Sequence, residues 1–174
     1  MSKIDYNLQH IQAVVFDVDG VLSPVTVPLD NDGMPCRMVN VHDSFAMQLA
    51  VKKGIEIAVV TGGKCDKVRR HLHYLGITDV FTNASDKLPV LLEWMRLKGL
   101  RPDEVAYVGD DVSDIECMRH VKLSVAPADA CVDILQTARY ISPAKGGYGV
   151  ARDLLEEILR SKDLWLKQDT DLHW

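Results

Sequence analysis

Residues 13–20, Ala-Val-Val-Phe-Asp-Val-Asp-Gly, decide the fold of this chain. An apolar run leads directly into Asp17, and Asp19 and Gly20 then signal a turn, which is typical of a buried strand in a parallel sheet. If the strand continues, Asp17 and Asp19 point the same way from its carboxyl end. Open α/β sheets bind ligands at that edge, and two like charges there need a cation or a shared proton. A strand followed by a plain acidic turn is the alternative.

The bulk composition narrows the class of protein. The chain has 174 residues, 47% hydrophobic and 26% charged, which fits one folded domain with a substantial core. A net charge of −5 without a Lys/Arg-rich tract argues against nucleic-acid binding. We expect a cytoplasmic protein with no membrane partner, because we find neither an apolar signal region nor a membrane-spanning run. Neither a zinc site nor a disulfide framework is predicted by the scattered Cys36, Cys65, Cys117 and Cys131.

Outward from the first strand, predicted at 11–17, strand-like and helix-like segments alternate. Further strands are predicted at about 55–60, 79–82, 104–108, 122–125 and 139–141. Helical patterns lie between them, and a last amphipathic helix starts near Val150. This alternation predicts an α/β fold with a Rossmann-like, doubly wound, mostly parallel sheet. We expect a single domain over residues 1–174, with no cap domain.

Two segments depart from this alternation. Residues 23–41 hold two extended pieces, 25–27 and 38–41, around a turn signal at 30–33, which predicts a β-hairpin flap beside the two aspartates. The helix after the flap is predicted to begin with Asp43 or Ser44 as its N-cap. Residues 162–174 form a predicted tail that contains Trp165 and Trp174.

Four loops at strand ends or helix starts carry polar groups that suit one chemistry. They hold Asp17 and Asp19, then Thr61 with Gly62, then Lys87, and finally Asp110, Asp111 and Asp114. In phosphoryl transfer one carboxylate can form an aspartyl-phosphate and a second can donate and accept the proton, while others bind Mg²⁺. A lysine, a hydroxyl and backbone N–H groups can neutralise the phosphoryl oxygens. Thr61-Gly62 and Lys87 alone are weak evidence and the fourth motif alone is moderate evidence, but their order on successive elements makes the combination strong.

These residues resemble the four motifs of the haloacid dehalogenase superfamily of phosphatases. The match is carried by residues 17–21, Thr61-Gly62, Lys87 and 109–114, and it covers nearly the whole chain. The resemblance implies that Asp17 is the nucleophile and a Mg²⁺ ligand and that Asp110 completes the metal site. Asp19 would be the general acid/base and would give its backbone carbonyl to Mg²⁺. The resemblance also implies that Thr61 and Lys87 bind the phosphoryl group, and that Asp111 and Asp114 act through water or other residues.

A closer resemblance is to the capless subgroup of this superfamily. It is carried by the small size, the insertion after the first motif, residues 146–152, and Asn40, Val41, His42, Asp43 and Ser44. The subgroup includes phosphatases of 3-deoxy-D-manno-octulosonate (KDO) 8-phosphate, from lipopolysaccharide synthesis, and of nine-carbon sialic-acid-type 9-phosphates. The resemblance implies a sugar-acid phosphate substrate held partly by residues 40–44 and 61–63. It also implies a homotetramer in which a neighbour closes the active site, because a capless subunit alone has little to exclude water. The tail is a candidate part of that closure or a frayed terminus.

Two positions depart from the subgroup pattern and leave the substrate open. The octulosonate enzymes usually have a basic residue after Thr-Gly and the nine-carbon enzymes an acidic one, whereas this chain has Gly63. Ser44 stands where the subgroup has glycine. The substrate carboxylate would then be bound by Arg69, Arg70 or His71, and the sequence does not indicate which of the three.

Residues 105–111 and 123–126 resemble the octulosonate enzymes most, so the eight-carbon substrate is our first hypothesis and the nine-carbon substrate is the alternative. Two other classes are a non-catalytic regulator and a phosphate-accepting receiver domain. The complete acidic set argues against the regulator, and Asp19 with the flap favours the phosphatase over the receiver.

Overall fold

Six parallel strands form one sheet in the computed structural model, which describes residues 2–173. The strands are β1 (Ala13–Phe16), β2 (Glu56–Val60), β3 (Asp79–Phe81), β4 (Val105–Val108), β5 (Leu123–Ala126) and β6 (Tyr140–Ile141). Their order across the sheet is β3-β2-β1-β4-β5-β6. The predicted doubly wound sheet is confirmed. Because the strand order reverses between β1 and β4, the ligand crevice of such a sheet lies at their carboxyl ends.

Helices cover both faces of the sheet. They are α1 (Val41–Lys52), α2 (Asp66–Tyr74), α3 (Lys87–Lys98), α4 (Ile115–His120), α5 (Val132–Thr137) and α6 (Val150–Ser161). Val14 and Phe16 of β1 pack in the core layer that contains α1 and α6, whereas Ala13 and Val15 pack in the layer that contains α3, α4 and α5. Burial on both faces explains why β1 is apolar at every position. Within residues 2–173, no helix combines the length and hydropathy that crossing a membrane requires.

The insertion at 23–41 is a shorter hairpin than predicted. Its turn is present, since the Gly33 amide donates to the Asp30 carbonyl at 3.0 Å. A single antiparallel bridge joins Leu29 to Pro35, and residues 25–27 and 38–41 are not strands. Prolines in the insertion, Pro28 and Pro35 among them, lack the N–H groups that a longer ladder needs.

Helix α1 begins at Val41, earlier than predicted. The Asn40 side chain accepts the amides of His42 at 2.9 Å and Asp43 at 3.3 Å, so it is the N-cap. The prediction that Asp43 or Ser44 caps this helix is wrong. Asparagine caps as well as aspartate or serine, and the chain turns into the helix one residue after it.

The described part of the tail packs on its own subunit. Trp165 is 6% exposed and meets Phe45 edge to face at 6.3 Å. The Arg152 guanidinium lies 4.5 Å from the centre of the Trp165 ring, and Lys53 pairs with Asp171 at 2.7 Å. Trp165 therefore belongs to the core of this subunit. Trp174, the other tryptophan of the predicted tail, lies outside the described residues.

Candidate active site

A cavity of about 350 Å³ opens beside the loops that follow β1, β2 and β4 and the start of α3. All four predicted loops contribute to its wall. Of the predicted site residues it is lined by Asp17, Asp19, Gly62, Gly63, Lys87, Asp110 and Asp111. The loops meet there because parallel strands present their carboxyl ends at the same edge of the sheet.

Lys87 is held between two buried aspartates. Its Nζ lies 2.7 Å from Asp17 Oδ2 and 2.8 Å from Asp114 Oδ1. Lys87 is the first residue of α3, so the start of that helix delivers the ammonium to the sheet edge. Burial favours the neutral amine, but the charges of Asp17 and Asp114 outweigh it and raise the pKa of Lys87 above its ordinary value. The cavity therefore keeps a fixed positive charge.

Asp114 organises the fourth loop from beneath the cavity wall. The Tyr107 hydroxyl donates to its Oδ1 at 2.7 Å, and the Asp110 amide donates to its Oδ2 at 3.1 Å. A Cβ at position 109 would lie 2.4 Å from Asp114 Cβ, so only glycine fits before the Asp-Asp pair. Asp114 thus positions Lys87 and the backbone that carries Asp110.

Two carboxylates at the site are suited to a divalent cation. Oxygens of Asp17, Asp110 and Asp114 lie within 4.8 Å of one another, and carboxylate oxygen is the ligand that Mg²⁺ prefers. Asp114 is fully buried and does not line the cavity, whereas the carboxylates of Asp17 and Asp110 belong to residues that do. Asp17 and Asp110 therefore fit the metal best. Gly20, at φ +75°, brings the backbone so close that a Cβ there would overlap Asp110 Oδ2.

The electrostatics of these two carboxylates also favour a cation. Burial raises the pKa of Asp17 to about 6, with Asp114 adding to the shift and Lys87 opposing it. Burial raises the pKa of Asp110 to about 7, and Asp17 and Asp114 add to that shift. A bound cation would reverse this repulsion and favour both ionised forms.

Asp19 differs from Asp17 in where its carboxylate points. Since β1 ends at Phe16, the strand does not continue through Asp19, and the two carboxylates have different partners. Arg37, from the insertion, donates from Nε and Nη2 to the two oxygens of Asp19, at 2.8 Å each. Arg37 was not predicted as a site residue. One indication of this contact was present in the sequence, because Arg37 lies in the segment that follows two aspartates and Asp19 had no counter-charge assigned to it.

Thr61 and the two glycines after it follow β2. The Thr61 hydroxyl oxygen accepts the Gly63 amide at 3.2 Å, and Thr61 is almost fully buried behind the cavity wall. Gly62 and Gly63 line the cavity itself. This turn exposes backbone to the cavity, as a phosphoryl-binding loop requires.

The remaining predicted substrate-binding residues lie away from this cavity in the single subunit. A separate void of about 20 Å³ beneath the insertion is lined by Asn40, Asp43, Ser44 and His71, and Ser44 Oγ lies 2.9 Å from His71 Nε2. His42 lines a surface pocket beside α6. Val41 and Arg70 are exposed. Their predicted contact with a sugar stays a prediction.

Comparison with known proteins supports the predicted membership of the haloacid dehalogenase superfamily. A family model described as haloacid dehalogenase-like hydrolase matches residues 44–128. The chain is 35% identical, over 151 residues, to the 3-deoxy-D-manno-octulosonate 8-phosphate phosphatase of Escherichia coli K12, covering 87% of this chain and 80% of that protein. This chain belongs to the haloacid dehalogenase-like hydrolases. The predicted family is confirmed.

Solved structures agree with the sequence comparison. The 3-deoxy-D-manno-octulosonate 8-phosphate phosphatase of Yersinia pestis has a TM-score of 0.86 at 34% identity and covers 90% of this chain and 85% of that chain. The enzyme of that name from Moraxella catarrhalis, solved with a magnesium ion, a phosphate ion and a KDO molecule, has a TM-score of 0.84 at 28% identity, covering 89% of each chain. The predicted resemblance to octulosonate phosphatases is confirmed.

In this haloacid dehalogenase-like hydrolase the glycine-rich segment at 146–149 supports the turn after β1. The Gly147 amide donates to the Val21 carbonyl at 2.7 Å. A Cβ on Gly146 would lie 2.0 Å from the Gly20 carbonyl oxygen. The segment therefore acts as scaffold for the aspartate-bearing turn.

Proposed function

We propose that this chain is a Mg²⁺-dependent phosphatase that releases inorganic phosphate from 3-deoxy-D-manno-octulosonate 8-phosphate through an aspartyl-phosphate. The observation that carries the chemistry is the buried cluster in which Lys87 bridges Asp17 and Asp114 beside Asp110. The names of the relatives support the substrate.

Asp17 is the proposed nucleophile because both of its oxygens are held by donors. The Val18 amide donates to Oδ1 at 2.6 Å and Lys87 to Oδ2 at 2.7 Å, so the carboxylate is fixed in one orientation. Its attack forms an oxygen–phosphorus bond while the bond to the leaving alcohol breaks. Lys87 and the Thr61 turn bind the phosphoryl oxygens. Asp17 and Asp110 would hold Mg²⁺, which when bound offsets the negative charge on the phosphoryl group.

Asp19 is the proposed proton carrier. It lies on the cavity wall beyond Asp17, where it would give a proton to the leaving oxygen. It then takes a proton from the water that attacks the aspartyl-phosphate, which releases phosphate and restores Asp17.

A phosphate-release assay across sugar-acid phosphates tests this proposal. We expect Mg²⁺-dependent turnover with the highest kcat/KM for the eight-carbon 8-phosphate. A higher kcat/KM for a nine-carbon 9-phosphate would replace the substrate and keep the chemistry. A protein that hydrolyses no phosphomonoester with Mg²⁺ present would contradict the phosphatase proposal and favour a regulator. A phosphoprotein that persists for minutes after acyl-phosphate treatment would favour a receiver.

We also propose that a second copy of the chain covers the insertion, as part of a homotetramer. The support is a set of apolar side chains there that are 42% to 66% exposed: Val25, Leu29, Met34, Met38, Val39 and Val41. Light scattering on a gel-filtration column would test it, with Met38→Asp expected to shift the mass downward. A monomeric wild type would contradict it.

We place the enzyme in the cytoplasm because all four cysteines are free thiols.

A further inference from the structure

The Arg37 side chain is fixed against Asp19, a residue of the cavity wall. Beyond its two bonds to Asp19, its Nη1 donates to the Lys64 carbonyl oxygen at 2.9 Å. The Arg37 side chain is 8% exposed although its partner Asp19 is 46% exposed. Among the described residues no other side chain donates to the Asp19 carboxylate. The orientation of Asp19 therefore depends on Arg37.

Gly63 provides the volume that the guanidinium occupies. A Cβ at position 63 would lie 2.4 Å from Arg37 Nη2 and 3.2 Å from Arg37 Cζ. Gly63 is not among the glycines with positive φ, so its backbone conformation does not require glycine. The requirement is spatial, because any side chain at position 63 would displace the guanidinium from Asp19.

We propose that Arg37 is a positioning residue for Asp19 and that Gly63 is glycine to admit its guanidinium. This inference rests on the proposed phosphatase function. When Asp19 gives its proton to the leaving oxygen, negative charge develops on its carboxylate, and a fixed guanidinium 2.8 Å away stabilises that charge. The two-point contact also holds a half-exposed carboxylate where the leaving oxygen must be.

The choice of leaving group distinguishes an Arg37 that acts through Asp19 from an Arg37 that supports the insertion or binds the sugar. An alkoxide needs a proton in order to leave, whereas p-nitrophenolate is stable enough to leave without one. The ratio kcat/KM reports the steps up to the first irreversible one, here departure of the alcohol, so it excludes the later hydrolysis that all substrates share. A residue that acts through Asp19 must therefore affect alkyl phosphates more than aryl phosphates.

The experiment measures kcat/KM of the full chain with Mg²⁺ for n-propyl phosphate and for p-nitrophenyl phosphate. For Arg37→Ala we expect a loss of roughly 10- to 100-fold on propyl phosphate and of less than about threefold on the aryl ester. Arg37→Lys should restore part of the loss, because it keeps the charge and gives up the two-point contact. Lys64→Ala is the matched control. It removes a nearby exposed positive charge and leaves the backbone carbonyl that accepts from Arg37, so it should change kcat/KM for neither ester.

Gly63→Ala tests the spatial part of the proposal. It should reproduce the leaving-group pattern of Arg37→Ala, and the double variant should lose nothing further. Thermal unfolding provides a readout without turnover: Gly63→Ala should lower Tm in the presence of Arg37 and leave it unchanged in the Arg37→Ala background. Additive effects of the two substitutions would overturn the proposal.

Other outcomes would also overturn it. Equal losses on both esters would make Arg37 a support for the insertion, and a loss confined to sugar-acid phosphates would make it a sugar-binding residue. If the wild type hydrolyses propyl and aryl phosphates and no sugar-acid phosphate, the substrate proposal fails and this inference stands on the same measurements. A wild type without any turnover would overturn both.

Discussion

Asp17 and Asp19 are two residues apart, and the structure gives them opposite surroundings. The Asp17 side chain is 8% exposed and pairs with Lys87 from the start of α3, 70 residues away. The Asp19 side chain is 46% exposed and pairs with Arg37 from the insertion, 18 residues away. In the proposed function, one short turn would provide both a fixed buried carboxylate for attack on phosphorus and an accessible one for proton transfer.

The two ion pairs also differ in what they contribute. A buried pair is desolvated, so removal of one partner leaves an uncompensated charge in a medium of low dielectric. In the Arg37 pair the Asp19 carboxylate is half exposed, so water screens its charge and the pair contributes little to stability. We therefore expect the Lys87 cluster to matter for both folding and catalysis, and the Arg37 pair to matter far more for catalysis than for folding.

The largest expected effect follows from Asp17→Asn. An amide of the same shape cannot attack phosphorus, so phosphate release should be abolished while the circular dichroism spectrum stays that of the wild type. Substantial residual turnover by this variant would remove Asp17 from the nucleophile role and weaken the contrast with Asp19.

Removal of the positively charged side chain from each ion pair tests the comparison directly. Lys87→Ala should lower the free energy of unfolding by about 3–5 kcal/mol, because Asp17 and Asp114 lose their counter-charge. Arg37→Ala should lower it by about 0–1 kcal/mol. Urea unfolding of both variants at pH 7.5 gives the two values, and equal values would show that the two pairs are energetically alike.

The proposed metal ligands come next in expected effect. Asp110→Ala should raise the Mg²⁺ concentration for half-maximal activity by roughly 10- to 100-fold, because one of two carboxylate ligands is lost. The matched control is Glu116→Ala in α4, which removes an exposed carboxylate that does not line the cavity. An unchanged Mg²⁺ titration for Asp110→Ala would assign the metal elsewhere.

The smallest effect is a pH dependence of stability. The raised pKa values of Asp17, about 6, and Asp110, about 7, mean that the folded state without metal binds more protons than the unfolded state between their ordinary pKa of 3.8 and about 7. The contribution of these groups to the free energy of unfolding therefore falls as pH rises through that window. Mg²⁺ binds the ionised forms, so its stabilisation should grow over the same window.

Calorimetry at pH 5 and pH 7.5, with and without Mg²⁺, measures this dependence. We expect Mg²⁺ to raise Tm by about 2–4 °C more at the higher pH, the shift that corresponds to about 1 kcal/mol in a chain of this size. Asp110→Ala should lose that difference, whereas Arg37→Ala should keep it. A Tm increase from Mg²⁺ that is larger at pH 5 would contradict the assigned ligands.

The parts of the site that were predictable share one property. Asp17, Gly62, Lys87 and Asp110 each follow a strand or start a helix, and the elements are recognisable from apolar runs and turn residues. Once the strands are known to be parallel, their carboxyl ends meet without further information. The insertion has no such regularity, which is why the strands predicted at 25–27 and 38–41 were wrong and the contact of Arg37 was not predicted.

The sequence by itself determined the doubly wound sheet, the family and the carboxylates gathered at one edge, because strand periodicity and loop chemistry are local properties of the chain. Only the tertiary structure decided that Lys87 lies between Asp17 and Asp114, that Asp19 pairs with Arg37, and that Arg37 lies in the space left by Gly63. These outcomes depend on distances between segments far apart in the sequence, and such distances follow from how the whole core packs.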